Sequence, residues 1–323
     1  MPMREYAHVD AALLHGEIVP GARPAVLRGL VADWPAVARA LASPEAICRY
    51  LVACDSGQPV DALLLAPAEK GRLFYGPGMD GFNFARRRLP VSQVIEQLAR
   101  YSQFASPPSV AVQSALVDAC LPRFGQENRL AAGLLDAADA CPRIWIGNAI
   151  VTPAHFDESD NIACVVAGRR RFTLFPPEQA GNLYIGPLDY APTPTPISMV
   201  DFSAPDFTRF PRFAEAMEAA LVADLGPGDA IYIPPLWWHH VQSSAPLSIL
   251  VNYWWKASAQ EAVPAHTPMQ AMTIAMDALR AMPPAQRRAW AALFGHYVFD
   301  AGVDPAAHIP AHRQGVLAKV RPQ

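Results

Sequence analysis

Two segments, Thr152-Pro-Ala-His155-Phe-Asp157 and, far downstream, Trp237-Trp-His239-His240, hold the residues best suited to chemistry in this chain. His155 and Asp157 are two positions apart, so in an extended strand both side chains point to the same face. A histidine from a later strand would complete two imidazoles and one carboxylate around a metal ion, leaving the opposite coordination positions open. Non-haem Fe(II) oxygenases use that ligand set, and it also suits zinc. His239 and His240 compete for the third place. Strand neighbours face opposite ways, and the alternation His239, Val241, Ser243 against His240, Gln242, Ser244 puts the apolar valine with His239. The pattern favours His239. Thr152-Pro-Ala is expected to break the preceding strand just before His155.

Short strands must position these residues. Between about Val110 and Trp255 the candidates are Val110 to Gln113, Arg143 to Gly147, Ile162 to Ala167, Arg171 to Phe175, Ala230 to Ile233 and Ser248 to Trp254. Closely spaced strands of this kind favour a sandwich or small barrel over a parallel α/β sheet. The tight turn Gly226-Pro-Gly-Asp229 feeds the strand that ends before Trp237. Upstream, Pro24 to Arg28 reads as a short strand, and a helix runs from Ser43-Pro-Glu to about Ala53 with serine as its cap. A second helix, Val91 to Tyr101, carries Val91, Val94, Ile95 and Leu98 on one face. After Trp255 the pattern becomes helical, with helices expected over Pro268 to Met282 and Pro284 to Phe299.

The 323 residues are 52% hydrophobic and 17% charged, enough for a substantial core, and no internal repeat is visible. A net charge of −3 gives no electrostatic case for nucleic acid or an anionic membrane surface. Cys48, Cys54, Cys120, Cys141 and Cys164 form no metal-type pair, and an odd count fits reduced thiols better than a disulfide framework. Cys164, inside Ile162-Ala-Cys-Val-Val166, reads as a small core residue. No basic segment followed by an apolar run opens the chain, and no apolar stretch approaches the roughly 20 residues of a membrane span. A soluble, cytoplasmic protein is the expectation.

From about Trp145 to Trp255 the sequence resembles the JmjC and cupin-like iron/2-oxoglutarate oxygenases, closest in motif to the asparaginyl hydroxylase of hypoxia-inducible factor. The resemblance rests on Thr152-Pro-Ala-His-Phe-Asp-Glu158, Asn161, Leu174-Phe-Pro-Pro-Glu178, Gly226-Pro-Gly-Asp229, Trp237-Trp-His-His240 and Val251-Asn-Tyr-Trp254, in order. It implies a mainly β fold with flanking helices: a mixed α/β N-terminal part over residues 1–105, a double-stranded β-helix (jelly-roll) core over 106–260, and a helical C-terminal part over 261–323. It carries iron ligation onto His155, Asp157 and His239, and 2-oxoglutarate contact onto Thr152, Asn161 and Asn252. It also implies that the C-terminal helices pair two subunits. Two positions depart from the family. The lysine that commonly holds the distal carboxylate of 2-oxoglutarate is replaced by Arg170, two residues after Gly168, and the tyrosine that often assists it falls on Ala111. Arginine keeps the charge and can hold a carboxylate through two hydrogen bonds, but its planar fork needs a differently shaped pocket.

The activity so implied is oxygenation with Fe(II), 2-oxoglutarate and O2, releasing succinate and CO2. Trp237 and Trp254, with Trp238 and Trp255 nearby, are candidates for apolar walls. Substrate choice is expected in loops such as 74–88 and 185–197. Two other readings stand beside this one: a Zn or Mn enzyme on the same barrel, and a non-catalytic cupin-like binding protein whose Arg170 and Ala111 no longer accept the cosubstrate.

Overall fold

The computed structural model describes residues 3–135, 140–256, 266–300, 302 and 304–319. Its strands are β1 (Arg4–Ala7), β2 (Ala25–Arg28), β3 (Val60–Leu65), β4 (Ala85–Leu89), β5 (Ser109–Leu116), β6 (Arg143–Gly147) and β7 (Val151–His155). They continue with β8 (Asp160–Ala167), β9 (Arg170–Phe175), β10 (Leu221–Leu225), β11 (Ala230–Ile233), β12 (Trp238–Ser243) and β13 (Ser248–Trp255). Nine form one sheet in the order β1-β2-β11-β8-β13-β6-β5-β3-β4, and four form a second in the order β10-β9-β12-β7. This is a jelly-roll core with flanking helices, as the sequence implies.

Strand β8 shows how the layers are built. Ile162, Cys164 and Val166 pack outward with Ile47, Leu51 and Val94 from the helices. The alternate residues Ala163 and Val165 point inward, where Phe172, Leu174 and Leu250 meet them. Both faces are buried, so the strand reads as a continuous apolar run rather than an alternating one. The outer layer is held by helices Pro44–Cys54 and Val91–Tyr101. In the first, the Ser43 side chain accepts from the Ala46 N–H, satisfying a donor the helix itself cannot. The second buries Val91, Val94, Ile95 and Leu98, each contributing about 1.5–3 kcal/mol by leaving water.

One expectation is overturned. Thr152-Pro-Ala does not break a strand; it is the middle of β7. That strand is the edge of the smaller sheet; it pairs with β12 and is bridged on its other side, at Val151, by Arg72, and a residue without an N–H is tolerated there. Strands β1, β3, β4 and β10 also form where none was assigned, so the 74–88 segment ends in strand rather than loop.

The chain divides into two compact units, Met1–Ala257 and Ser258–Gln323. All thirteen described strands lie in the first, and β1 to β4 share a sheet with strands of the core. The expected boundary at 260/261 lies outside the described residues. In the second unit, helix Pro268–Leu279 opens on a capping box between Thr267 and Gln270. Helix Pro284–Phe294 follows and runs into a π-helical turn at Gly295–Phe299. Among the described residues, no helix is long and apolar enough to cross a membrane.

Gly168 lies where the chain leaves the large sheet for the small one. Its φ is +75°, and a Cβ there would sit 2.7 Å from the Leu247 carbonyl oxygen. Gly168→Ala should therefore lose about 1–3 kcal/mol of stability in urea unfolding. An unchanged midpoint would show that the turn relaxes without cost.

Candidate metal centre

His155 closes β7 and His239 is the second residue of β12; the two are cross-strand partners. Their ring centroids lie 4.2 Å apart. Each imidazole is fixed by its own chain: Nδ1 of His155 donates to the Pro153 carbonyl at 2.9 Å, and Nδ1 of His239 to the Trp237 carbonyl at 3.0 Å. A carbonyl can only accept, so both Nδ1 atoms carry the proton and both Nε2 lone pairs are free. Burial, reinforced by the adjacent His239 ring, holds His155 below the ordinary histidine range. It is neutral at physiological pH, as a metal ligand must be.

Asp157 lies two residues beyond the end of β7. Its carbonyl accepts the Leu236 N–H at 2.8 Å, which ties this loop to the approach to β12. Its carboxylate Oδ2 accepts from Asn161 Nδ2 at 3.2 Å and from Trp254 Nε1 at 3.0 Å. The same oxygen is 3.6 Å from His239 Nε2. Asn252 Nδ2 in turn donates to Asn161 Oδ1 at 2.7 Å, so β8 and β13 together orient the carboxylate. One ligand atom from each of His155, Asp157 and His239 falls within 4.8 Å of the others, a grouping that could hold a metal ion. His240 points through the opposite face of the sheet, where its ring stacks on Phe202 at 4.4 Å.

The three groups open into a cavity of about 480 Å³ between the sheets. Thr152, Asn161, Arg170, Asn252 and Trp254 line it, so the structure gathers these expected contacts around one space. Trp237 does not line it. It is 8% exposed and sits in the inter-sheet core, beside a separate cavity it shares with Pro234 and Pro235. Leu236 has a φ of 65°; Trp237 precedes the first residue of β12 and faces inward with Val241, but packs in the core away from the cavity. Trp238 packs on Phe156 and Trp255 on Tyr232, so neither is a cavity wall.

Arg170 and Phe172 face this cavity together. The Arg170 guanidinium has one bond, from Nε to Ser248 Oγ at 3.2 Å. No carboxylate lies within ion-pair distance of it among the described residues. Burial pushes its pKa down to about 10, so it stays charged at neutral pH. A small void of about 20 Å³ adjoins it, lined by Ala111, Gln113, Trp145 and Thr152. The room left by alanine at position 111 is therefore beside the bulkier arginine.

Trp145 belongs to the site but was not among the candidates. Its indole N–H is buried without a partner among the described residues, as is Asn252 Oδ1. The signal was the parity of β6: Ile144 and Ile146 enter the outer core, which leaves Trp145 for the cavity face. At the rim, Asp61 and Arg86 stand 3.8 Å apart and residues 191–194 close one side.

Residues 11–261 match the family described as Cupin-like domain. The chain belongs to the cupin-like family. Some curated relatives carry JmjC names; others are named HSPB1-associated protein 1. This cupin-like chain is 31% identical over 174 residues to Jumonji C domain-containing protein 5 of Drosophila melanogaster, covering 54% of this chain and 40% of that one. It is 29% identical over 260 residues to the human bifunctional peptidase and (3S)-lysyl hydroxylase JMJD7, covering 72% and 77%. Lysine-specific demethylase JMJ31 of Arabidopsis thaliana is 31% identical over 123 residues, 38% of this chain and 22% of that one. The chain thus spans less than half the length of the first and third of these relatives. Family and relatives support an oxygenase of the 2-oxoglutarate type in general.

Proposed function

We propose that this cupin-like protein is an Fe(II)- and 2-oxoglutarate-dependent dioxygenase that hydroxylates a protein side chain or a small molecule. The observation that carries the reading is one cavity holding two histidines with free Nε2 atoms, an oriented carboxylate and a half-buried arginine without an ion-pair partner among the described residues. The donor set fits iron, with His155, Asp157 and His239 holding it on one side and the cavity leaving the other side open. The orphaned groups fit the keto acid: a carboxylate reaching Arg170 and the Trp145 N–H would satisfy buried donors that otherwise cost free energy. When bound, the metal and cosubstrate supply the oxidising power, taking up O2 and releasing succinate and CO2 as one oxygen atom enters the substrate. The chain's own residues do the rest. Asn161 and Trp254 hold the Asp157 carboxylate, Arg170 and Thr152 orient the cosubstrate, and Phe172, Ile233 and Leu250 keep bulk water out.

A protein side chain is the first substrate class to test. Relatives named for lysyl hydroxylation and lysine demethylation support it, as does the motif resemblance to asparaginyl hydroxylases. The direct assay is succinate formation from 2-oxoglutarate with Fe(II) and O2. A Zn- or Mn-dependent enzyme, or a non-catalytic binding protein, would form none.

Metal content should fall to background in His155→Ala and in His239→Ala, while His240→Ala keeps it. Loss of metal in His240→Ala alone would overturn the ligand assignment. Arg170→Ala should bind 2-oxoglutarate at least about tenfold more weakly with metal content intact, because a charged hydrogen-bonded pair contributes about 1.5–3 kcal/mol. Equal affinity in that variant would place the anchor elsewhere and favour the binding-protein reading.

The same reading includes a homodimer formed through the C-terminal helices. Neither Pro268–Leu279 nor Pro284–Phe294 has a buried residue, and Ile274, Trp290, Leu293 and Phe299 are 55%, 43%, 47% and 76% exposed. That much apolar surface is a cost unless covered. Sedimentation should give a dimer for the full chain and a monomer for Leu293→Arg. A monomeric parent protein would refute the pairing.

A further inference from the structure

The outer face of the four-stranded sheet carries a second cavity, of about 950 Å³, which takes no part in the metal centre. Its floor comes from residues that alternate with the inward-facing ones, among them Thr173 of β9 and His240 of β12. These two are cross-strand partners, 8% and 7% exposed. Neither side chain is hydrogen-bonded among the described residues, and both open into the cavity. Buried polar groups ordinarily find partners.

A cation stands on the wall. The Arg72 guanidinium lies over the Phe74 ring, 3.7 Å from its centroid. Among the described residues its one hydrogen bond, to the Val200 carbonyl, is long at 3.4 Å, and it forms an ion pair with Asp201 Oδ2 at 3.7 Å, beyond hydrogen-bond distance. Most of its five donors therefore make no hydrogen bond among the described residues. The other charges are engaged: Asp201 Oδ1 accepts from the Ser203 N–H and hydroxyl while its Oδ2 faces Arg72, Glu69 accepts from Asn83, and Arg171 is held by both oxygens of Asp224. Lys70 is exposed at the edge. Phe202, Phe207 and Met217 supply apolar surface.

We propose that this cavity is a second ligand site, for a small aromatic carboxylate bearing a ring hydroxyl. The carboxylate meets the Arg72 fork, which matches its geometry. The ring lies against the phenylalanines, and the hydroxyl reaches Thr173 and His240. The volume is of the size that small-molecule sites occupy, and the two sites stand back to back on one sheet.

The test is calorimetric titration of the full chain with 4-hydroxyphenylacetate and with phenylacetate. Saturable binding is expected, tighter for the hydroxylated acid. Arg72→Met should weaken both acids by about tenfold or more. Thr173→Val keeps the shape of the residue and should abolish the preference for the hydroxyl; it decides the matter if Arg72→Met fails to fold. Arg170→Ala should bind 4-hydroxyphenylacetate as the parent does. The proposal is overturned if neither acid binds saturably, or if Thr173→Val retains the preference. Loss of binding in Arg170→Ala would assign the ligand to the metal-site cavity and equally overturn it.

Discussion

The pairing of β7 with β12 is the constraint on which the site depends. It sets His155 directly across from His239, and each ring is then locked by a carbonyl two residues earlier on its own chain. Neither imidazole needs a distant residue to choose its tautomer. The register does the positioning, and the hydrogen bond turns the lone pair. A slip of one residue in β12 would send the His239 ring to the outer face, where His240 and Thr173 now lie. The sheet is therefore a partition with two chemistries, one on each side.

The inner side has a charge problem that folding alone does not solve. Among the described residues, Arg170 is drawn into a cavity with a serine hydroxyl as its one hydrogen-bond partner, and the Trp145 N–H beside it has no acceptor. A protein interior tolerates such groups when something polar completes them. Asp157 is the reverse case: its carboxylate is held by two donors from the large sheet, so it is oriented before any cation arrives. An anion-seeking end and a cation-seeking end share one enclosed space. The reaction class proposed for this protein follows from that polarity more than from any single residue.

Much of this was legible in the sequence. The spacing of His155 and Asp157, and the alternation that sets His239 with Val241, are consequences of strand geometry and need no tertiary information. So is the face shared by Arg170, Phe172 and Leu174. What escaped is what depends on neighbours. Pro153 signals a break unless β7 is known to be an edge strand. Trp237 looks like a cavity wall unless the inter-sheet core is seen to fill around it, away from the cavity. Trp145 hides in an apolar strand until the helices claim Ile144 and Ile146. Strands β3 and β4 extend the large sheet from the N-terminal part, because pairing partners far apart in sequence leave little local signal.

The central claim is that one cavity binds Fe(II) through His155, Asp157 and His239 and a 2-oxo acid beside it. Anaerobic addition of 2-oxoglutarate to the iron-loaded protein tests it most directly, read by visible absorption. A keto acid chelating Fe(II) through its carboxylate and oxo group gives a charge-transfer band that neither component shows alone. The account predicts that this band appears, saturates at one equivalent per chain, and is lost in His239→Ala. An iron-loaded protein that gives no band at saturating 2-oxoglutarate would contradict it.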